Sequence, residues 1–411
     1  MLRDKGILIL GLGMQGQAVL YDLLNTSNSS NIVAVDGQAE PKLFVDSLDT
    51  ARVSFQQVDV ADDEQLRKLI SVADIVIEAL PAAYTLKIAR IAAEEGSSLI
   101  SSMYFLNQSL SDESTINLIK AEIAEIDQIA KDNNCLLISE LGMDPGLDLI
   151  LGKANIDEFD EVVKFNSYGA GFPAIEACTN PINYKFTWSV HGVMLSYLRP
   201  SNVIRDGKVK DIPAHEMFSA KSMHLVENPL IDGVVECFPN GNTVHYAEKF
   251  GIKNTVQQMG RYICRRPGHG AFWEIAVKCG FLDPNPIRFK GLDITPAEFL
   301  AAVLKSQPQF SYEKDEQDIA YIRTDVSGII NGEKKRVIYQ IIDRRDLQTG
   351  YTAMQRTVGF TMSIGAQLLL ADKIKKTGIL DVMHVPFTLI RPELEKRGIL
   401  VTREEMSWNG E

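Results

Sequence analysis

Short apolar runs alternate with amphipathic segments over the first 145 residues of the chain. The predicted strands are 7–10, 31–35, 53–58, 74–80, 98–102 and 136–140. After the first run, Leu20, Leu23 and Leu24 recur at helical spacing and predict an amphipathic helix, and a second helix is predicted over 114–133. Because buried strands that alternate with helices form parallel sheets, this pattern predicts a doubly wound α/β fold.

The pattern changes after Pro145-Gly146, where longer strands with alternating polarity begin. The clearest is a hairpin with arms at 321–326 and 336–342, joined by a turn that includes Asn331-Gly332. Successive residues of such arms point to opposite faces of the sheet. This alternation predicts a mixed or antiparallel sheet in a second domain.

The sequence therefore predicts three parts. Residues 1–145 form the parallel-sheet domain, and residues 146–350 form a mixed α+β domain that binds the substrate. In residues 351–411 we expect helices over 353–373 and 386–398 that return to pack on the first domain. A length of 411 residues agrees with more than one hydrophobic core.

The charge of the chain restricts its partners. The net charge is −12, so no overall positive field attracts nucleic acid or an anionic membrane surface. No apolar run approaches the ~20 residues that span a bilayer. We therefore expect neither a nucleic-acid partner nor a membrane partner.

The cysteines indicate the redox compartment. Their number is odd, their spacing is wide and no CxxC pair occurs, which is typical of a reducing cytoplasm and gives no zinc signature. They are Cys135, Cys178, Cys237, Cys264 and Cys279. We expect a cytoplasmic protein without a metal site.

The sequence GLGMQG at 11–16 follows the first strand and opens the first helix. This spacing is the fingerprint of a dinucleotide-binding Rossmann domain. Gly11 makes the tight turn, Gly13 lets the backbone approach a pyrophosphate, and Gly16 lets the helix pack close to the strand. The backbone amides at Met14 and Gln15 begin the helix and face the anion. The alternative is a glycine-rich turn in an unrelated α/β protein.

Acidic and loop residues at the ends of the next strands extend this predicted site. Asp36 ends the second strand, where a carboxylate binds ribose hydroxyls and repels a 2′-phosphate, so we expect NAD rather than NADP, without excluding NADP. Asp59 follows the third strand and either contacts the adenine amino group or is a solvated strand end. Leu80 and Pro81 start a loop that lies beside the cofactor in this architecture.

Asp144 lies in the segment ELGMDPG, which leaves the last strand of the first domain. Because a proline follows it, the backbone of Asp144 is held extended. Its carboxylate then serves as a polar contact or proton acceptor for the substrate. Alternatively, Asp144 caps a helix that begins near Leu147, with Pro145 as the first helical residue.

Two groups of cations are candidates for binding and proton transfer in the second domain. Lys185 and His191 lie in the polar and aromatic segment 180–192 and can bind a carboxylate or transfer a proton. Arg261, Arg265 and Arg266 form a local cluster whose guanidinium groups suit carboxylates. The alternative for each group is a solvated or structurally satisfied charge.

Tyr104, Glu78 and Arg356 are lesser candidates. Tyr104 follows a short strand that enters the predicted cleft, and we include it among the substrate-binding residues. Glu78 lies within an apolar strand, where it either has a function or simply marks the strand end.

The chain resembles the saccharopine dehydrogenase (glutamate-forming) and lysine 6-dehydrogenase family over nearly its whole length. The resemblance rests on GLGMQG, ELGMDPGLD, SYGAGFPA, NPINYKFTWSVHGV, CFPNGNT, RRPGHGAF and QRTVGFTMSIGAQLLL. It implies a Rossmann domain, a mixed substrate domain over 146–350 that also forms the interface of a homodimer, and C-terminal helices that return to the first domain. It also implies that hydride passes from a C–N carbon of a lysine-derived amine to a nicotinamide, after which the imine hydrolyses.

Individual positions distinguish the two branches of this family. Asp144 and the segments 180–189 and 238–240 resemble the saccharopine branch, which implies conversion of saccharopine to glutamate and aminoadipate semialdehyde. Gly268-His269 resembles the lysine 6-dehydrogenase branch, and His191 stands where the saccharopine branch usually has arginine. Lysine 6-dehydrogenase activity and a non-catalytic dinucleotide-binding protein are the alternatives.

Overall fold

The computed structural model describes residues 6–107, 110 and 112–410. Its strands are β1 (Ile7–Leu10), β2 (Ile32–Asp36), β3 (Val53–Gln57), β4 (Ile75–Glu78), β5 (Ser98–Ser101), β6 (Leu136–Ile138), β7 (Glu161–Pro173), β8 (Ser201–Arg205), β9 (Lys208–Ile212), β10 (His224–Asn228), β11 (Gly233–Pro239), β12 (Gln258–Arg265), β13 (Ile287–Phe289), β14 (Leu292–Ile294), β15 (Asp318–Ile330), β16 (Glu333–Arg344), β17 (Gly378–Leu380) and β18 (Val401–Ser407).

Its α-helices are α1 (Met14–Thr26), α2 (Pro41–Ser47), α3 (Asp63–Ile70), α4 (Thr85–Glu95), α5 (Glu113–Asp132), α6 (Leu147–Ile156), α7 (Val190–Ser196), α8 (Thr243–Lys249), α9 (His269–Lys278), α10 (Pro296–Ser306), α11 (Ala353–Gln355), α12 (Thr361–Leu370) and α13 (Phe387–Lys396). The chain divides into two compact units. The first comprises Met1–Ile150 with Gln355–Gly398, and the second comprises Leu151–Met354 with Ile399–Glu411. The domain boundaries at 145 and 350 stay predictions.

The first unit contains a parallel sheet, which confirms the predicted fold class. Within the described residues its strand order is β17-β6-β5-β4-β1-β2-β3, and every neighbouring pair is parallel. The chain crosses from the β3 edge back to β4, so β1 and β4 flank a topological switch point, where ligands bind in such sheets. The apolar side chains of β1 are fully buried in this sheet.

The segment predicted as one helix over 353–373 is interrupted. A π-helical turn over Arg356–Phe360 separates α11 from α12, which ends at Leu370. Gly359 lies against α1, where a Cβ would stand only 2.6 Å from the Cβ of Ala18. This close approach explains why the turn carries a glycine.

The second unit contains a mixed sheet, as the sequence predicts. Within the described residues the main path is β10-β11-β12-β7-β15-β16-β18, with β8 and β9 attached through β12. Strand β7 pairs in parallel with β12 and antiparallel with β15. The predicted hairpin is confirmed as β15 and β16, with Val326 opposite Val337, and both arms are longer than predicted. Asn331 and Gly332 have positive φ angles of 50° and 79°, as a two-residue hairpin turn requires.

Residues 351–411 also contain two strands that the sequence did not predict. Residues of β17 join the parallel sheet beside β6, and β18 pairs antiparallel with β16. An edge strand needs only one paired side and tolerates charges, and β18 buries only Val401. Because most of its residues are polar or charged, the hydrophobic pattern does not predict a strand at β18. No helix of the described residues is both long and apolar enough to span a membrane.

Candidate active site

The glycine turn after β1 has the steric properties that a dinucleotide site requires. Gly11 has a φ of 90°, and a Cβ there would lie 2.7 Å from the carbonyl oxygen of Ala79. A Cβ on Gly16 would lie 1.8 Å from the carbonyl oxygen of Gly11. Around Gly13, by contrast, a Cβ would meet no described atom within 4 Å. Gly11 and Gly16 are thus required by packing, whereas Gly13 leaves open space above the turn.

The N-terminus of α1 opens from this turn. Gly13 is the N-cap, no side chain of the described residues caps it, and the first turn holds no acidic residue. Met14 is exposed and Gln15 is half-buried. Uncapped amides at a helix N-terminus bind anions, so the turn fits the pyrophosphate of a dinucleotide.

Asp36 is fixed beside the glycine turn. One carboxylate oxygen accepts a hydrogen bond from the Leu12 amide at 2.8 Å, and the other accepts one from the Gln38 amide at 2.9 Å. Each oxygen keeps a further lone pair for a ligand hydroxyl. Asp59 is exposed and accepts a hydrogen bond from the Ala61 amide at 2.9 Å, so it shapes its own turn.

The loops after β4 and β5 lie at the same edge of the parallel sheet. The loop after β4 contacts the glycine turn, since the Ala79 amide donates to the Leu10 carbonyl at 2.8 Å. Leu80 is half-buried and Pro81 is exposed. Tyr104, in the loop after β5, is half-buried. These loops are placed where the switch-point rule expects a ligand.

Asp144 is half-buried in the turn between β6 and α6. The helix begins at Leu147, so Pro145 is not its first residue as the capping alternative required. The Gly146 amide instead donates to the carboxylate of Asp148 at 2.9 Å. The role of Asp144 toward a substrate stays a prediction.

In the second unit, Lys185 is only 3% exposed and forms an ion pair. Its Nζ lies 2.5 and 2.6 Å from the two carboxylate oxygens of Glu316, and 5.9 Å from the ring centroid of Tyr312. Glu316 therefore balances the charge of Lys185, and a role of Lys185 toward a substrate stays a prediction. His191 is half-buried in the first turn of α7.

The three arginines of the cluster are all buried, and they differ in their contacts. Arg261 stacks on the ring of Tyr246 at 3.9 Å. Arg265 donates through Nε to the Tyr197 hydroxyl at 3.3 Å. Arg266 donates through Nε to the Pro173 carbonyl at 3.0 Å, while its Nη2 has no hydrogen-bond partner among the described residues.

A buried polar network that the sequence did not predict surrounds Arg265. His269 is fully buried, with Nδ1 3.2 Å from the Ile182 carbonyl and Nε2 2.9 Å from the Tyr197 hydroxyl. Nδ1 therefore carries the proton, and Tyr197 donates to Nε2 while it accepts from Arg265. Burial lowers the pKa of His269 well below its ordinary value, so the imidazole is neutral. His269 thus fixes Arg265 through Tyr197.

The fold and the glycine turn define a dinucleotide-binding protein, and comparison with known families identifies which one. Residues 7–138 match the saccharopine dehydrogenase NADP binding domain, and residues 142–399 match the saccharopine dehydrogenase C-terminal domain. The chain belongs to the saccharopine dehydrogenase family. The predicted resemblance is confirmed. The described residues contain no group of three or more His, Cys, Asp or Glu side chains placed to hold a metal ion.

Named relatives agree with this family. The chain is 25% identical to the saccharopine dehydrogenase (NADP(+), L-glutamate-forming) of Pyricularia oryzae, covering 81% of this chain and 70% of that protein. It is 24% identical to an alpha-aminoadipic semialdehyde synthase of Arabidopsis thaliana, covering 79% of this chain. The match spans only 36% of the length of the Arabidopsis protein.

A solved structure shares the fold over nearly the whole chain. The apo saccharopine dehydrogenase (L-Glu forming) of Saccharomyces cerevisiae superimposes with a TM-score of 0.81 at 22% identity, covering 98% of this chain and 100% of that one. A homospermidine synthase of Legionella pneumophila, solved with NAD, gives a TM-score of 0.62 at 13% identity, covering 98% of this chain and 92% of that one.

Proposed function

We propose that the protein oxidises saccharopine at a C–N bond and releases glutamate and aminoadipate semialdehyde. The observation that carries this proposal is the match of both family domains, over 7–138 and 142–399, to a chain with an open glycine turn. A relative that matches over 81% of this chain bears the L-glutamate-forming name.

A bound nicotinamide would supply the acceptor for the hydride of the substrate carbon. The residues of the chain supply binding and proton transfer. The amides at Gly13, Met14 and Gln15 bind the pyrophosphate at the start of α1. Asp144 or His191 accepts the proton of the substrate nitrogen, or activates the water that adds to the imine carbon. The adduct then releases the amine, and this step breaks the C–N bond.

Carboxylate recognition falls to the second unit in this proposal. Arg266 supports it, because its buried Nη2 has no partner among the described residues and a substrate carboxylate satisfies such a donor. Arg261 and Arg265 add positive charge in β12, which ends just before Arg266. Lys185 with Glu316 binds or exchanges a proton with the substrate. Tyr104, a residue of the first unit, contributes a hydroxyl to substrate binding in this proposal.

The preferred cofactor in this proposal is NAD. Asp36 supports it because its carboxylate, held beside the glycine turn, binds ribose hydroxyls and repels a 2′-phosphate. The NADP(+) in the names of the relatives is a property of those proteins. Asp59, Leu80 and Pro81 complete the proposed cofactor site.

We further propose a cytoplasmic homodimer. All five cysteines are free thiols, which favours a reducing compartment. Large apolar side chains are exposed in the segment 272–303 and favour a partner. They are Phe272, Ile275, Phe281, Ile287, Phe289, Leu292, Phe299 and Val303. Cell fractionation and sedimentation of the purified protein test these two points.

The function is tested by following the absorbance of reduced nicotinamide with saccharopine or lysine, each with NAD and with NADP. We expect turnover on saccharopine, faster with NAD. Turnover on lysine alone would instead favour the lysine 6-dehydrogenase branch. Dinucleotide binding without turnover on either amine would favour the non-catalytic alternative.

A further inference from the structure

Glu78 is the last residue of β4, and its side chain is completely buried. The three residues before it are apolar, and β4 lies between β1 and β5, with Leu10 and Ser101 opposite Glu78. Burying a carboxyl is unfavourable unless its oxygens accept hydrogen bonds. The contacts of this carboxyl therefore indicate what it does.

The carboxyl of Glu78 connects the ends of two strands and the start of a helix. One oxygen accepts a hydrogen bond from the Leu80 amide at 3.0 Å. The other accepts from the hydroxyl of Ser101 and, at 3.4 Å, from the hydroxyl of Thr85 in α4. The Ser101 hydroxyl in turn accepts from the Met103 amide at 2.9 Å. One buried group thus holds the loops after β4 and β5.

This network continues into two further segments of the first unit. On one side, Ala79 bonds to β1, and its carbonyl oxygen would lie 2.7 Å from a Cβ on Gly11. On the other side, the Glu140 amide donates to the Met103 carbonyl at 3.0 Å, and the Leu141 amide donates to the Ser101 carbonyl at 2.9 Å. A shift of Glu78 would therefore reach both the glycine turn and the segment before Asp144.

In the described part of the chain no cation balances the charge of Glu78. Among the described residues no Lys, Arg or His lies within ion-pair distance, and α12, which packs against β4, carries no charged residue. Burial raises the pKa of Glu78 to about 7, against the hydrogen bonds from Ser101, Leu80 and Thr85. The titratable groups on the connected loops are Tyr84, Tyr104, Glu140 and Asp144.

We propose that Glu78 is a positioning residue, which holds the loops after β4 and β5 in the arrangement that receives the dinucleotide. The inference rests on the proposed cofactor contacts of Leu80 and Pro81. Burial alone favours an apolar side chain at this position, so burial does not explain the carboxyl. The Leu80 amide and the Ser101 hydroxyl require it as an acceptor.

The test is the variant Glu78→Val, with Asp74→Asn as its control. The carboxylate of Asp74 accepts a hydrogen bond from the Gly6 amide at 2.7 Å, just before the opposite end of β4. The dissociation constants for NAD and NADH are measured by calorimetry, together with Tm. For Glu78→Val we expect about a tenfold or larger rise in the constants and a lower Tm, because the Leu80 amide and the Ser101 hydroxyl lose their acceptor. For Asp74→Asn we expect no change in the constants. Binding by Glu78→Val within about twofold of wild type would overturn the proposal.

A second variant, Glu78→Gln, keeps the size of the side chain and removes its titration. In the wild type we expect dinucleotide affinity to fall as the pH drops through about 7, because protonation removes an acceptor. We expect Glu78→Gln to bind without this pH dependence, and Asp144→Asn to keep it. A pH dependence in Glu78→Gln equal to that of the wild type would overturn the proposal. Failure of the wild type to bind a dinucleotide at any pH would instead overturn the proposed function, and this inference with it.

Discussion

The carboxylate of Asp36 is hydrogen-bonded to the backbone amide of Leu12 at 2.8 Å, so the acidic end of β2 is tied to the glycine turn after β1. A second hydrogen bond, from the Gln38 amide at 2.9 Å, fixes the other oxygen. The negative charge therefore has a defined position beside the proposed dinucleotide site. This charge would repel the 2′-phosphate of NADP and would not repel NAD, which has no such group.

We expect Asp36→Asn to weaken the preference for NAD over NADP. The amide oxygen still accepts from Leu12, but the repulsion of a 2′-phosphate, about 1–4 kcal/mol near a protein surface, is lost. Values of kcat/KM for both cofactors measure the change, which we expect to be about tenfold. Asp46→Asn is the control, because this exposed carboxylate of α2 is not among the proposed cofactor residues, and we expect it to leave the ratio unchanged. An unchanged ratio in Asp36→Asn would remove Asp36 from cofactor selection.

The glycines of the turn should separate folding from binding. A Cβ on Gly13 meets open space, so we expect Gly13→Ala to fold with an unchanged Tm and to lose about tenfold or more in dinucleotide affinity. A Cβ on Gly16 meets the Gly11 carbonyl oxygen at 1.8 Å, so Gly16→Ala should lose stability as well. Thermal melts and calorimetric titrations measure both effects. Wild-type binding by Gly13→Ala would contradict the proposed position of the pyrophosphate.

Local sequence signals predicted the glycine turn and the β15–β16 hairpin, because neighbouring residues determine both. The partner of Lys185 could not be predicted, since Glu316 lies 131 residues away and only tertiary packing brings the two together. For the same reason the sequence does not predict the contact of His269 with Tyr197, which lies 72 residues away. Strand β18 was missed because an edge strand buries little and carries many charges.

We expect Asp144→Asn to reduce turnover strongly and to leave dinucleotide binding intact. The substitution keeps the shape of the side chain but removes a proton acceptor, a change that typically costs about 10²-fold or more in kcat. Steady-state kinetics and a cofactor titration of the same preparation measure both properties. Unchanged turnover would exclude Asp144 from the mechanism.

Asp318 should make the stability of the second unit depend on pH. Its carboxylate is buried and accepts from the amides of Ala353 at 2.8 Å and Met354 at 3.2 Å, and burial raises its pKa to about 6. The folded state therefore binds the proton more tightly than the unfolded state, so this group destabilises the fold as the pH rises from about 4 to about 6. We expect Asp318→Asn to gain stability relative to wild type over that range, up to about 3 kcal/mol. Urea unfolding at several pH values measures the difference, and a pH-independent difference would contradict the assignment.

Helix α13 is joined to α1 by a buried ion pair. Arg397 donates through Nε and Nη2 to the two carboxylate oxygens of Asp22 at 2.7 and 2.9 Å, and both side chains are buried. Because Arg397→Met leaves the carboxylate buried and uncompensated, we expect a loss of about 3 kcal/mol or more in the free energy of unfolding. The exposed pair of Arg391 and Glu395 in the same helix is the control, and Arg391→Met should cost less than about 1 kcal/mol. Equal losses in the two variants, measured by urea unfolding, would contradict the buried pair as the cause.

The most direct measurement identifies the products that the purified protein forms from saccharopine and NAD. Mass spectrometry of the reaction should show glutamate and aminoadipate semialdehyde, each formed in proportion to the reduced dinucleotide. We expect this result if the protein has the L-glutamate-forming saccharopine dehydrogenase activity that we propose. Reduced dinucleotide formed without glutamate, or no product from saccharopine under conditions where the dinucleotide binds, would contradict the proposed function.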